Sequence, residues 1–178
     1  MDFITSPHFT LLMILAFDTY YYDDKAKTVC LAFEQWTDDK ATAIYTEILD
    51  HIAEYVPGEF YKRELPCILS LLKTIDCSLV ETIIVDGFVY LDDDNKLGLG
   101  GHLYHALDAK IPVIGVAKTN FATIVNNKRP VERGISKSPL YITAIGTDLN
   151  QAAEHIATMH GEFRLPTLLK EMDRLTKA

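Results

Sequence analysis

Thr82-Ile83-Ile84-Val85-Asp86-Gly87 is a run of four β-branched residues that stops abruptly on an acid and a glycine. Its apolar residues do not alternate with polar ones, so it predicts a strand covered on both faces, as in the parallel part of an α/β sheet. In such sheets the functional crevice lies outside the carboxyl ends of the strands, where Asp86 falls. Upstream, Pro66 is placed in the first turn of a helix whose Ile68, Leu69, Leu71, Leu72 and Ile75 form a core-facing stripe. Downstream, a short helix over Gly101–Leu107 leads to a second buried strand, Ile111–Val116. A strand over Pro139–Ile145, a helix over Leu149–His160 closed by Gly161, and a helix over Pro166–Lys177 with Leu168, Met172 and Leu175 on one face complete the chain. At the other end, Leu11–Tyr22, Thr28–Trp36 and Ala41–Leu49 are separated by polar turns and read as three antiparallel strands. The order is that of an α/β three-layer fold with a mixed central sheet: three antiparallel strands, then parallel strands, with helices on both faces.

Length agrees with one domain over residues 1–178, and 48% apolar against 24% charged residues is ordinary globular composition. Seventeen basic against twenty-five acidic residues give a net charge of −8, so a nucleic acid must be met by a local basic patch or through bound cations. One such patch is the stretch holding Lys118, Lys128, Arg129, Arg133 and Lys137 against the single acid Glu132, which reads either as a phosphate-tracking loop or as a solvated one. Cys30, Cys67 and Cys77 form no Cys-x-x-Cys pair, which argues against a zinc site or disulfide framework and fits a cytoplasmic protein. The longest apolar run, Leu11–Phe17, falls far short of the roughly 20 residues of a membrane span.

Asp18 interrupts an apolar strand, where a carboxylate is costly without a partner or cation. Glu64 lies near a helix start, where it can also serve the helix dipole. Together with Asp86 these acids offer oxygen ligands suited to a hard divalent cation such as Mg²⁺, with Mn²⁺ as a substitute. His102 and His105 read as a packed pair rather than ligands, and Tyr20-Tyr21-Tyr22 as strand packing.

The chain resembles the endonuclease V family, nucleases of ribonuclease H-like fold that cut near deaminated purines, inosine above all. Tyr55-Val56-Pro57-Gly58 is similar to the family's wedge, Arg63-Glu64 follows at its interval, Asp86-Gly87 and Lys96-Leu97-Gly98 with His102 match its next segment, and Gly115-Val116-Ala117-Lys118 its Gly-Val-Ala-Lys motif. The resemblance implies Asp18, Glu64 and Asp86 as metal-binding acids and Lys118 beside the phosphate or leaving group. It implies Tyr55 as a strand-separating wedge, with Pro57, Gly58, Arg63, Lys96, Gly98 and His102 on the nucleic-acid side. Counting from Pro166-Thr167 places a fourth acid at Glu171, with Asp173 across the same stripe. The implied partner is DNA or RNA carrying inosine or another deaminated base. Two departures are expected: Asp92-Asp93-Asp94-Asn95 replaces a positive, base-contacting element, and no hairpin is expected over residues 126–142. The rival reading is a nuclease-derived binding module that has lost efficient hydrolysis, or another ribonuclease H-like nuclease.

Overall fold

The computed structural model of the chain describes residues 10–178. Strands β1 (Met13–Tyr22), β2 (Lys25–Phe33) and β3 (Ala43–Asp50) pair antiparallel in sequence order. Strand β4 (Val80–Asp86) then lies parallel to β1, and β5 (Val113–Ala117) parallel to β4. With β6 (Arg129–Val131) and β7 (Leu140–Ile145) they form one sheet in the order β3-β2-β1-β4-β5-β7-β6.

Strand β7 runs antiparallel to β5, which corrects the expectation of parallel strands to the end of the sheet. A parallel return needs a crossover element, and among the described residues no helix lies between β5 and β7. The chain turns back through β6 instead, which pairs with β7. Residues 126–142 therefore do hold a hairpin, contrary to expectation, and Gly134 within it has the left-handed φ of +61°.

Helices α1 (Tyr61–Leu72) and α2 (Leu99–Ala106) cover one face of the sheet, and α3 (Leu149–Thr158) and α4 (Thr167–Lys177) cover the other. Side chains of β1 alternate between the layers: Ile14 and Ala16 point to the α3/α4 core, Leu15 and Phe17 to the α1/α2 core. All four are fully buried, and each of the larger ones contributes about 1.5–3 kcal/mol by leaving water. The same alternation sends Asp18 toward α4.

Helix α1 begins at Tyr61, ahead of the turn that Pro66 marks in sequence. Pro66 sits on the exposed side, where water can satisfy the carbonyl that its missing N–H leaves free. The earlier start places Glu64 on the stripe of Cys67, Ile68 and Leu71, so helix phase turns its carboxylate into the protein.

Candidate active site

The register of β1 and β4 ends at Phe17 opposite Val85, so Asp18 and Asp86 follow side by side on adjacent parallel strands, whose backbones run roughly 5 Å apart. Asp86 is the last residue of β4, and Asp18 lies beside it where the pairing of β1 with β4 ends; Asp18 is 8% and Glu64 2% exposed. Glu64 reaches the same groove from α1, the opposite layer. Lys118, just past β5, sends its ammonium to Asp86 Oδ2 at 3.2 Å and to Asp173 Oδ1 at 3.5 Å. The groove holds about 830 Å³ and is lined by Asp18, Glu64, Asp86 and Lys118, with the rings of Tyr55 and Phe121 also among its lining residues.

Gly115 explains one motif physically. A Cβ there would lie 2.5 Å from the Gly87 carbonyl oxygen and 2.6 Å from Thr143 Oγ1. Only a bare backbone lets the chain after Asp86 fold back across β5, where the Val89 N–H donates to Thr143 Oγ1 at 2.8 Å.

The acids crowd one another. Burial, followed by the Asp86 carboxylate, lifts the Asp18 carboxyl to about 6 against an ordinary 3.8, with Lys118 and the Thr19 N–H pulling back. The latter donates to Asp18 Oδ1 at 2.9 Å. Burial pushes Glu64 well above the carboxylate range, and Asp18 and Asp86 push it further. Burial acts to lower Lys118, but Asp86, Asp173 and Asp18 outweigh it and hold the ammonium charged. Three carboxylates share the groove, two of them nearly shut away from water, and carboxylate oxygens are the donor type that hard cations take. Among the described residues no three acidic, histidine or cysteine side chains stand as a ready-made ligand cluster. Asp18 and Asp86 lie on one face of the sheet, Glu64 comes from the other layer, and the Lys118 ammonium occupies part of the space between Asp86 and Asp173.

The structure brings together Asp18, Glu64, Asp86 and Lys118, with Tyr55, Gly58 and Gly98 on the same groove. Gly58 turns the chain with φ +81° just before α1. Pro57, Lys96 and His102 border a neighbouring hollow, where His102 stacks on Tyr61 with ring centroids 3.7 Å apart. Arg63 does not line the groove: its guanidinium lies 3.8 Å over the Tyr21 ring.

Glu171 is not with the acids. It is held by Arg174 at 2.6 and 2.8 Å and opens onto a separate hollow between β3 and α4. Asp173, two residues on, is the α4 acid that reaches Lys118, and its carboxyl is held low because Lys177 and Lys118 outweigh the effect of burial. The basic stretch is likewise redistributed. Arg133 is buried and donates to the carbonyls of Met159, Gly161, Phe163 and Arg164. Arg129 is engaged by Asn150 and by the carbonyls of Asn126 and Lys128. The Arg133 guanidinium, shut away on these carbonyls, is not free to track phosphates. Arg164, which drew no notice in sequence, donates to the backbone carbonyls of Lys118 and Pro139 and ties the end of β5 to the start of β7.

The family model for endonuclease V matches residues 4–161. An endonuclease V of Streptomyces coelicolor is 29% identical over 145 residues, 70% of this chain and 60% of that protein. The chain thus spans under two thirds of that relative's length. A crystal structure of endonuclease V from Streptomyces avermitilis superposes with a TM-score of 0.72 at 22% identity, covering 93% of this chain and 79% of the other. The Ciona intestinalis endonuclease V, in complex with a 24mer DNA containing an inosine followed by a ribo-adenosine, gives 0.74 at 17% identity, covering 93% and 84%. At these identities the structures speak for the fold, which is ribonuclease H-like.

Proposed function

The chain belongs to the endonuclease V family, whose model takes in most of its length, and we propose that it hydrolyses a phosphodiester bond near inosine in DNA or RNA with the help of a divalent cation. The observation that carries this reading is the meeting of Asp18, Glu64 and Asp86 with Lys118 in one groove at the carboxyl end of β4. The partner is accordingly a nucleic acid; the Ciona relative was crystallised on inosine-containing DNA.

Asp18, Glu64 and Asp86 would hold the cation, Mg²⁺ by the hardness of the donor set or Mn²⁺ in its place. When bound, it supplies charge neutralisation at the scissile phosphate and acidifies water. The protein's own groups do the rest. Glu64, reaching the groove from α1 and kept from solvent, would help hold or orient the attacking water. Lys118, kept charged by Asp86 and Asp173, is placed to offset charge developing on phosphate or leaving oxygen. Tyr55 on the groove wall is placed to fill the gap when a base is extruded. No helix among the described residues is long and apolar enough to cross a membrane.

The test is a cleavage panel of inosine-bearing and matched unmodified DNA and RNA, with Mg²⁺, Mn²⁺ or chelator, for the native protein and Asp86→Ala. Nicking that needs inosine, the cation and Asp86 is expected. Cutting that survives chelation or Asp86→Ala would overturn the metal mechanism, and cutting indifferent to inosine would overturn the substrate. A second readout is thermal: Mg²⁺ should raise the melting temperature of the native protein and not of Asp86→Ala.

A further inference from the structure

Phe121 is 41% exposed, an aromatic ring left in water beside a cluster of acids. It lies in the loop between β5 and β6 and lines the groove together with Tyr55, itself 58% exposed. Beside it, lining the same groove, is Phe88, two residues after Asp86, with ring centroids 5.7 Å apart and planes tilted by 37°. The ring thus packs against a second aromatic, held two residues beyond the strand that ends on a site acid.

The loop that presents Phe121 has no regular structure over residues 118–128, yet its backbone donors are satisfied in an unusual way. The Asp93 carboxylate accepts from three successive N–H groups: Val125 at 3.1 Å, Asn126 at 2.9 Å and Asn127 at 3.0 Å. Successive N–H groups converging on one anion fix a loop as firmly as a turn of helix does. Thr123 Oγ1 adds a bond to the Leu91 carbonyl at 2.6 Å, and Lys128 Nζ one to the Phe121 carbonyl at 3.1 Å. Asp92 is used inward as well, accepting from the Asp94 and Lys96 N–H groups at 2.9 Å. The acidic stretch that sequence reads as a lost base-contacting element is therefore an anchor for the loop across from it.

Electrostatics decide what lies on the ring. Among the described residues Lys118 is the sole basic side chain lining this groove, and it is already shared by Asp86 and Asp173. Phosphate attraction by side chains is correspondingly weak, and stacking, which every base offers regardless of sequence, is a second source of grip on a strand beside any bound cation. A base inside a duplex has both faces covered, so only an unpaired or extruded base can lie on an open ring.

We propose that Phe121, packed against Phe88, is a stacking platform for an unpaired base flanking the target nucleotide, and that Asp93 is the positioning residue that holds it there. The inference rests on the nuclease reading and narrows its substrate to strands that are single or locally open. Phe121 and Tyr55 line the same groove as the acids, so a strand drawn into it would meet both rings.

The experiment uses single-stranded oligonucleotides carrying inosine with 2-aminopurine one nucleotide to either side, in Ca²⁺. Binding is read by anisotropy and stacking by quenching of 2-aminopurine emission, well below the melting temperature. The native protein should quench at one of the two positions. Phe121→Ala should abolish that quench and bind roughly tenfold more weakly, and Phe121→Trp should restore both. Asp93→Ala should lose the quench like Phe121→Ala, Asp93→Asn should keep part of it, and adding Phe121→Ala to Asp93→Ala should cost nothing more. A merely structural Asp93 would lower the melting temperature and leave the quench intact, which overturns its role. Quenching and affinity indifferent to Phe121→Ala overturn the platform while cleavage of inosine strands keeps the nuclease reading. A native protein that quenches through Phe121 yet cuts nothing upholds the platform and sinks the nuclease reading, and one that binds no strand sinks both.

Discussion

Replacing Asp18 with asparagine should make the metal-free protein more stable at neutral pH while abolishing cleavage. Asn keeps an oxygen that can accept from the Thr19 N–H but carries no charge into a nearly dry position beside Asp86. Lifting a carboxyl from 3.8 to about 6 corresponds to about 3 kcal/mol at 1.36 kcal/mol per pH unit. Below about pH 4 both folded and unfolded chains carry the proton, and the substitution changes little. Between about pH 4 and 6 the unfolded chain releases it first, so native stability falls as pH rises; above 6 the full penalty is in force. Burial raises Glu64 in the same direction, so its ionisation adds to the loss of stability as pH rises in both proteins. Urea unfolding in chelator from pH 4 to 8 should show the curves of native protein and Asp18→Asn converging at the acid end and separating by about 3 kcal/mol at pH 7, or about 6–12 °C in melting temperature. Parallel curves, or an Asn variant less stable at pH 7, would falsify the claim that Asp18 is held ionised against its surroundings.

Asp173→Asn should lower the cleavage rate by at least tenfold, whereas Glu171→Gln, which breaks only a surface pair with Arg174, should leave rate and melting temperature within error; the reverse pattern in steady-state kinetics would restore Glu171 to the site. Tyr55→Ala should reduce cutting of duplex inosine substrates by one to two orders of magnitude on the order expected for lost stacking, with a smaller loss on single strands and an unchanged melt; equal rates on duplex would make the ring incidental. Arg133→Met should cost roughly 3 kcal/mol or more, because four carbonyls lose a charged donor at once; a loss below about 1 kcal/mol in chemical denaturation would show that water replaces it.

How far sequence reaches differs from residue to residue. Asp86 was legible because a β-branched run that stops at Asp-Gly marks its own strand and its own end. Glu64 was legible as a residue but not as a buried one, since Pro66 masks the true start of α1 and with it the helical phase. Glu171 and Asp173 could not be separated: at about 100° per residue they flank the Leu168/Leu169/Met172 stripe on opposite sides, and only the docking of α4 on β1 and β2 decides which side meets the groove. Arg133 and Arg129 look in sequence like any solvated bases, because the carbonyls that hold them come from segments up to 31 residues away or from nearby turns whose shape is set by tertiary contacts. Asp93 is the converse, an acid whose partners are backbone N–H groups that leave no trace in side-chain identity.

The docking of α4 has a consequence for the order of events in the cell. Its Leu168, Leu169 and Met172 pack on the sheet, Thr176 Oγ1 reaches Asp18 Oδ2 at 3.4 Å, and Asp173 closes the site around Lys118. Synthesis runs from amino to carboxyl end, so the sheet, α1 and three of the acids leave the ribosome before α4 does. A nascent chain whose α4 has not yet emerged therefore holds Asp18, Glu64 and Asp86 but lacks both the Leu168/Leu169/Met172 cover over one face of the sheet and the carboxylate that shares Lys118 with Asp86.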